Sequence, residues 1–247
     1  MTAANKPVET TLRIPGTWSN AGELQDRLPD GYRLTPDKLV LPDGTACDCS
    51  PMLPDDQFAD IFRTSCRRPA TDDELSRVDR YTVKIGLTGP GGSLSAALTT
   101  MQAAAALVRA GGAGVFIDNS ALAHGGDLWL ELTDDASPDA LSFAFVAIFG
   151  GEQDVWTCGM HVLGFPEIIM HRRDLPPGAD ADPIIDVIRY ICHSDQPVEA
   201  GHLLGDIHGP RFQAAAAPDD QWGADTPMHN PFGRLKLTCL REISESN

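Results

Sequence analysis

Residues 81–118 constrain the fold more than any other stretch of this chain. Val83, Ile85 and Leu87 alternate as a half-buried strand does, and the run from Gly86 to Gly92 then breaks the pattern. Ser93 stands where a helix N-cap belongs, and Leu94, Leu98, Met101, Ala105 and Val108 recur at the helical period behind it. Ala103 to Ala106 would let that helix lie close against a sheet, and Gly111 with Gly112 stops it. Val115, Phe116 and Ile117 read as a second strand. The segment therefore predicts a β-α-β unit with parallel strands, because a helical crossover returns the chain in the same direction.

On the N-terminal side, Thr11 to Trp18 is predicted to be extended, and Ser19 to open a short amphipathic helix through Leu24 and Leu28. Lys38 to Leu41 and Thr45 to Cys49 flank Asp43-Gly44, a hairpin signal. Pro54, Asp55 and Asp56 precede an apolar stripe of Phe58, Ile61 and Phe62 at helical spacing. Arg67 to Thr71, with Pro69 inside, reads as a linker, and Thr71 with Glu74 forms a capping-box signature after it. Further on, a short helix is expected around Leu128 to Leu132. Strands over Leu141 to Phe149 and Val155 to Met160 are expected to pair as a hairpin, followed by an extended piece from Glu167 to His171. A helix starting at Asp182 and Pro183 presents Ile184, Val187, Ile188 and Ile191 on one face, and Arg234 to Leu240 is the last strand expected. Residues 196–230 carry no clear pattern.

These elements make an α+β chain: a mixed or antiparallel sheet with the 93–110 and 182–193 helices on one face. Residues 1–70 are expected as a small N-terminal α+β module and residues 71–247 as the main domain. At 247 residues the chain is long enough to bury a sizeable core without covalent staples. The apolar run from Phe143 to Phe149 is far below the roughly 18 residues of a membrane helix. The N-terminal MTAANKPVETTLRIPG has neither the basic start nor the apolar centre of a secretory signal, so a cytoplasmic location is the expectation.

Thirty-five acidic residues against 19 basic ones leave a formal charge of −16. That balance opposes binding to nucleic acid or an anionic membrane, which needs clustered Lys and Arg, and favours a basic protein partner if one exists. The one dense basic run is Arg63, Arg67 and Arg68, with Arg77 and Arg80 beyond it, and the flanking Asp60, Asp72, Asp73 and Glu74 are expected to offset it. The six cysteines match no redox or zinc spacing, since Cys47 and Cys49 are separated by one residue and no second pair exists. They are expected to be structural thiols.

Three stretches bear chemistry-carrying residue types. Gly86 to Ser93 has the spacing of a phosphate-binding loop, but Gly92 stands where the lysine that reaches the terminal phosphates belongs. Gly89, Gly91, Gly92 and Ser93 remain a candidate anion cradle at a helix N-terminus. His124, with Asp118 as its orienting acid and Ser93 or Cys158 as nucleophile, is a candidate general base near a strand end. Gly205 to Gly209 reproduces the GDxHG signature of calcineurin-like metallophosphoesterases without the GDxxD, GNH and GHxH segments that complete their two-metal site. His202, Asp206 and His208, with His229 as a further donor, remain a candidate set for zinc or another divalent metal; otherwise no cofactor is expected.

The stretch from Ala103 to Gly112, the strand Ala113 to Asp118, Ala123 and His124, Trp129, and then Thr157, Gly159, Met160, Gly164, Phe165, Pro166 and Glu167 resembles the core of a widespread bacterial domain family of unknown function, over roughly residues 81–190. The resemblance carries no reaction, cofactor or catalytic residue with it. It implies that Thr-x-Gly-Met and Gly-Phe-Pro-Glu are fold determinants, a hairpin end and a tight turn. On this reading the chain is a non-enzymatic acidic interaction or regulatory protein, of which an immunity or antitoxin-like protein is one example. The alternative is a hydrolase or metal-dependent enzyme using the His124 or His202–His208 region.

Overall fold

The strand, capped helix and strand of residues 81–118 are all present in the computed structural model, which describes residues 7–174, 182–194, 197–205, 211–218 and 221–240. In chain order the elements are β1 (Glu9–Gly16), α1 (Ala21–Arg27), β2 (Arg33–Leu34), β3 (Lys38–Val40), β4 (Ala46–Met52), α2 (Phe58–Ser65), α3 (Asp72–Asp79), β5 (Val83–Pro90) and α4 (Leu94–Arg109). They continue as β6 (Gly114–Ile117), β7 (Leu122–Gly125), α5 (Gly126–Asp135), α6 (Pro138–Phe145), β8 (Ala147–Gly150), β9 (Asp154–Cys158) and β10 (Glu167–His171). The last are α7 (Asp182–His193), β11 (Leu203–Leu204), β12 (Arg211–Ala217) and β13 (Arg234–Leu240).

The fold is α+β, as the sequence predicts. The strands form two sheets, the first ordered β2-β3-β4-β5-β1-β6-β7 and the second β11-β12-β13-β10-β9-β8. All strand pairs of the first sheet are antiparallel. The second is mixed, because β10 and β13 run parallel while its other pairs are antiparallel.

Two expectations change in the tertiary structure. β5 and β6 do run parallel across α4, but they are not neighbours: β1 lies between them, antiparallel to both. A strand from the expected N-terminal module thus fills the middle of the sheet, and β4 from the same module pairs along β5. Residues 7–70 and the residues after them therefore share one sheet and one core, and no boundary near residue 70 separates them. The physical reason lies in β1 itself. Leu12 and Ile14 alternate onto the α4 face and are fully buried there, an apolar edge that a free-standing module would leave wet.

The second change concerns residues 138–145, which are helical rather than extended. Ser137 caps the helix by accepting from Ala140 N, and Pro138 sits at its first turn, where its missing N–H costs nothing. A short apolar run reads equally as strand or buried helix, and here the cap decides. The hairpin survives as β8 and β9, and β12, in the stretch without pattern, buries Phe212 and Ala214 while pairing with β13.

α4 lies against the β5-β1-β6 face, where Ala103 to Ala106 are fully buried and Met101 and Leu107 reach the core. Each large apolar side chain buried there contributes about 1.5–3 kcal/mol. On the opposite face α2 and α3 build a smaller cluster, in which Phe58 meets Phe116 and Tyr81 edge-on. Lys84, on β5, points into this side with a side chain 2% exposed and pairs with Asp55.

Candidate functional site

The glycine turn is closed to anions by its own packing. Gly91 N donates to Val8 O at 3.0 Å and Gly92 N to Val162 O at 2.9 Å, so two of the amides a phosphate would need are already spent. A Cβ on Gly89 would lie 2.2 Å from Thr100 Oγ1, and one on Gly164 would lie 2.5 Å from Gly92 O. The glycines serve close approach of β5, α4 and the 160–164 turn, not a ligand cradle. Ser93 is occupied as the N-cap, accepting from Ala96 N.

His124 and Asp118 do not meet. His124 pairs with Val115 across β6 and β7 and shares its core-facing side, whereas Asp118 bonds Arg13 Nε at 2.7 Å on the side of Phe116. His124 is fully buried between Trp129 and Phe143, with Nε2 donating to Ala144 O at 2.9 Å and Nδ1 without a hydrogen-bond partner. Burial pushes its pKa down to about 4, with the Arg67 and Arg68 charges adding to that against the Ala144 bond. The imidazole is thus a neutral packing group. For Asp118, burial raises the carboxyl and outweighs the Arg13 guanidinium beside it. The thiol of Cys158, the other candidate nucleophile, is buried and donates to Asn119 O at 3.3 Å.

Of the predicted metal donors, Asp206 and His208 lie outside the described residues. His202 closes a turn, its Nδ1 accepting from Glu199 N at 3.2 Å. Among the described residues no three His, Cys, Asp or Glu side chains are grouped to hold a metal ion.

The polar centre of the molecule lies elsewhere, around Glu167 of the Gly-Phe-Pro-Glu turn. Glu167 opens β10 and is 2% exposed, yet its carboxylate is surrounded by donors. Thr157 Oγ1 donates to Oε2 at 2.7 Å, while Gly159 N and Asn230 Nδ2 donate to Oε1 at 3.0 Å each. His161 Nδ1 faces the same oxygen at 3.3 Å. On the other side of the ring, Asn119 Nδ2 meets both Glu9 O and Pro227 O at 3.0 Å, and these carbonyls take its two hydrogens. His161 Nε2, 3.0 Å from Pro227 O, then acts as donor.

A cavity of about 390 Å³, lined by Glu9, Thr11, His161, Asp225, Thr226 and His229, opens beside this pair. A carboxylate orienting a histidine is the arrangement of a general base. Here, however, Nε2 is spent on Pro227 O, and the network ties β1, the turn after β6, β9, β10 and the segment around residues 227–230 into one unit. A second cavity, about 630 Å³ between α1, β4 and β5 near the far end of β1, is lined mainly by apolar groups such as Trp18, Leu24 and Ile85. Its one titratable lining group is Cys49, whose thiol burial pushes up to about 11. The cavity beside His161 carries further acid-base groups in Asp225 and His229, the Nδ1 of which has no hydrogen-bond partner among the described residues. No family model, no curated protein and no solved structure matches this chain.

Proposed function

We propose that this chain is a non-enzymatic acidic protein that acts by binding a basic protein partner. The observation that carries the reading is the outer face of α5. Asp127, Glu131 and Asp135 repeat there at four-residue spacing, with Asp134 beside them, and all four are exposed. Among the described residues only Asp134 has a cationic partner, Arg109 at 2.8 Å. Like charges at this spacing cost a helix about 0.2–0.5 kcal/mol per pair. The last turn adds to that cost, since it carries acids and no base at the negative end of the helix dipole. A stripe that weakens its own helix is accounted for by a complementary surface on a partner, and charge of this kind steers association.

An immunity or antitoxin-like role, in which a cationic protein is neutralised, is one form of this reading. Nucleic acid and anionic membranes are not the partners it implies, because the formal charge of −16 repels both. No helix among the described residues is long and apolar enough to cross a membrane. An acid-base enzyme built on the Glu167–His161 pair is the second reading, favoured by the adjoining cavity and opposed by the bond that occupies Nε2.

The test is affinity purification from the native host with the wild-type chain and with an Asp127→Asn, Glu131→Gln, Asp135→Asn variant of unchanged circular dichroism. A basic protein retained by the first and lost by the second supports the reading. Retention by both, or no specific partner, rejects it.

A further inference from the structure

The basic run that the flanking acids were expected to offset is offset only in part. Arg63 bonds Asp60 at 2.7 Å and Asp79 at 2.8 Å. Glu74 is turned inward, accepting from Thr71 N and Asp127 N. Arg67 and Arg68 are left without an ion-pair partner among the described residues, although acids outnumber bases in the chain by 35 to 19. Both guanidiniums are held against one ring, Arg67 at 4.7 Å and Arg68 at 4.9 Å from the centre of Phe143. Arg67 is anchored there by its bond to Phe143 O at 2.6 Å. Burial pushes the Arg67 pKa down to about 10, the sign of a cation whose desolvation no anion offsets.

These two arginines form the charged end of a cavity of about 190 Å³ between α6 and α7. Val146, Ile185 and Ile188 form its apolar wall. The one carboxylate at the rim, Asp139, is already engaged by His193 at 3.1 Å and Arg189 at 3.9 Å. The volume equals that of about six waters, at roughly 30 Å³ each, which admits a single ring or short chain with one headgroup.

We propose that Arg67, Arg68 and Phe143 form a binding site for a small monocarboxylate with an apolar tail. The planar guanidinium fork matches a carboxylate by two parallel N–H···O bonds, and the tail lies along Val146, Ile185 and Ile188. The site is independent of the acidic face of α5, and a ligand there offsets two guanidiniums that have no ion-pair partner among the described residues.

Calorimetric titration of the full chain with benzoate, benzamide and inorganic phosphate tests this. Saturable benzoate binding is expected, with benzamide and phosphate each at least about tenfold weaker, a difference of roughly 1.4 kcal/mol. Arg68→Gln removes an exposed side chain with no hydrogen bond among the described residues, so the variant should fold normally and bind benzoate at least about tenfold more weakly. Absence of benzoate binding, equal binding of benzamide, phosphate binding as tight as benzoate, or an Arg68→Gln variant of wild-type affinity would each overturn the proposal.

Discussion

Glu167 and His161 close a buried pair across the turn between β9 and β10, Oε1 to Nδ1 at 3.3 Å, with both side chains at most 3% exposed. Removing the carboxylate leaves the histidine, Thr157 Oγ1, Gly159 N and Asn230 Nδ2 without their common acceptor. Glu167→Ala is expected to lower the unfolding free energy by about 3–5 kcal/mol. Urea unfolding at pH 7 measures it, and a loss below about 1 kcal/mol would show that the network relaxes without its centre.

His124 makes stability depend on pH. Its folded pKa, about 4, lies below the ordinary 6.5, so the unfolded chain binds the proton first. The stabilisation is therefore complete above about pH 6.5 and is lost as pH falls toward 4, to a total of about 3 kcal/mol. His124→Gln, which keeps a donor for Ala144 O, should flatten that part of the profile. Denaturant midpoints at pH 7, 5.5 and 4.5 compare the two chains; parallel profiles would reject the assignment.

Gly89→Ala brings a methyl within 2.2 Å of Thr100 Oγ1 and 2.9 Å of Cys47 Sγ, between a core strand and α4. A cost of about 1–3 kcal/mol is expected from overpacking. Gly223→Ala, with nothing within 4 Å, serves as the neutral control. Thermal unfolding of both variants separates them, and equal melting temperatures would count against the close approach.

Lys84 holds its ammonium beside the Phe58 ring at 4.6 Å and against Asp55, while its side chain is only 2% exposed. The Lys84 partner lowers the Asp55 pKa, so this pairing holds above the ordinary carboxyl range and is lost as pH falls through the lowered value. Asp55→Ala leaves the ammonium without its anion and is expected to cost about 1–3 kcal/mol. Adding Lys84→Met should recover part of the loss. A double-mutant cycle by urea unfolding reads the coupling, and strict additivity would reject it.

The thiols of Cys47 and Cys49 are pushed up to about 11 and that of Cys192 to about 12, all chiefly by burial. Iodoacetamide at pH 8 should leave these three unmodified in the native protein and label them after denaturation. Peptide mass mapping locates the adducts.

Local signals were legible wherever a residue's own neighbours determine its conformation. The Ser93 cap, the Thr71–Glu74 capping box, the Asp43-Gly44 turn and the α4 stripe all stand where the sequence puts them. The helix of residues 138–145 was missed although its signal, Ser137 followed by Pro138, was present and outweighed by the apolar run after it. The polar centre was less legible. Thr157, Gly159 and Glu167 carry a turn pattern, but His161, Asn119 and Asn230, which complete the network around the Glu167 carboxylate, carry no spacing that links them.

What the sequence determined by itself is the α+β character, the acidity and most element positions, because hydrophobic period, caps and turns act over a few residues. Only the tertiary structure decided that β1 enters between β5 and β6, and that His124 and Asp118 face opposite sides of one sheet. It also decided that Arg67 and Arg68 meet at Phe143, about 75 positions along the chain, with no ion-pair partner among the described residues. Strand order and side-chain convergence depend on which apolar faces bury one another across long separations. That is a property of the packed core, and no local pattern carries it.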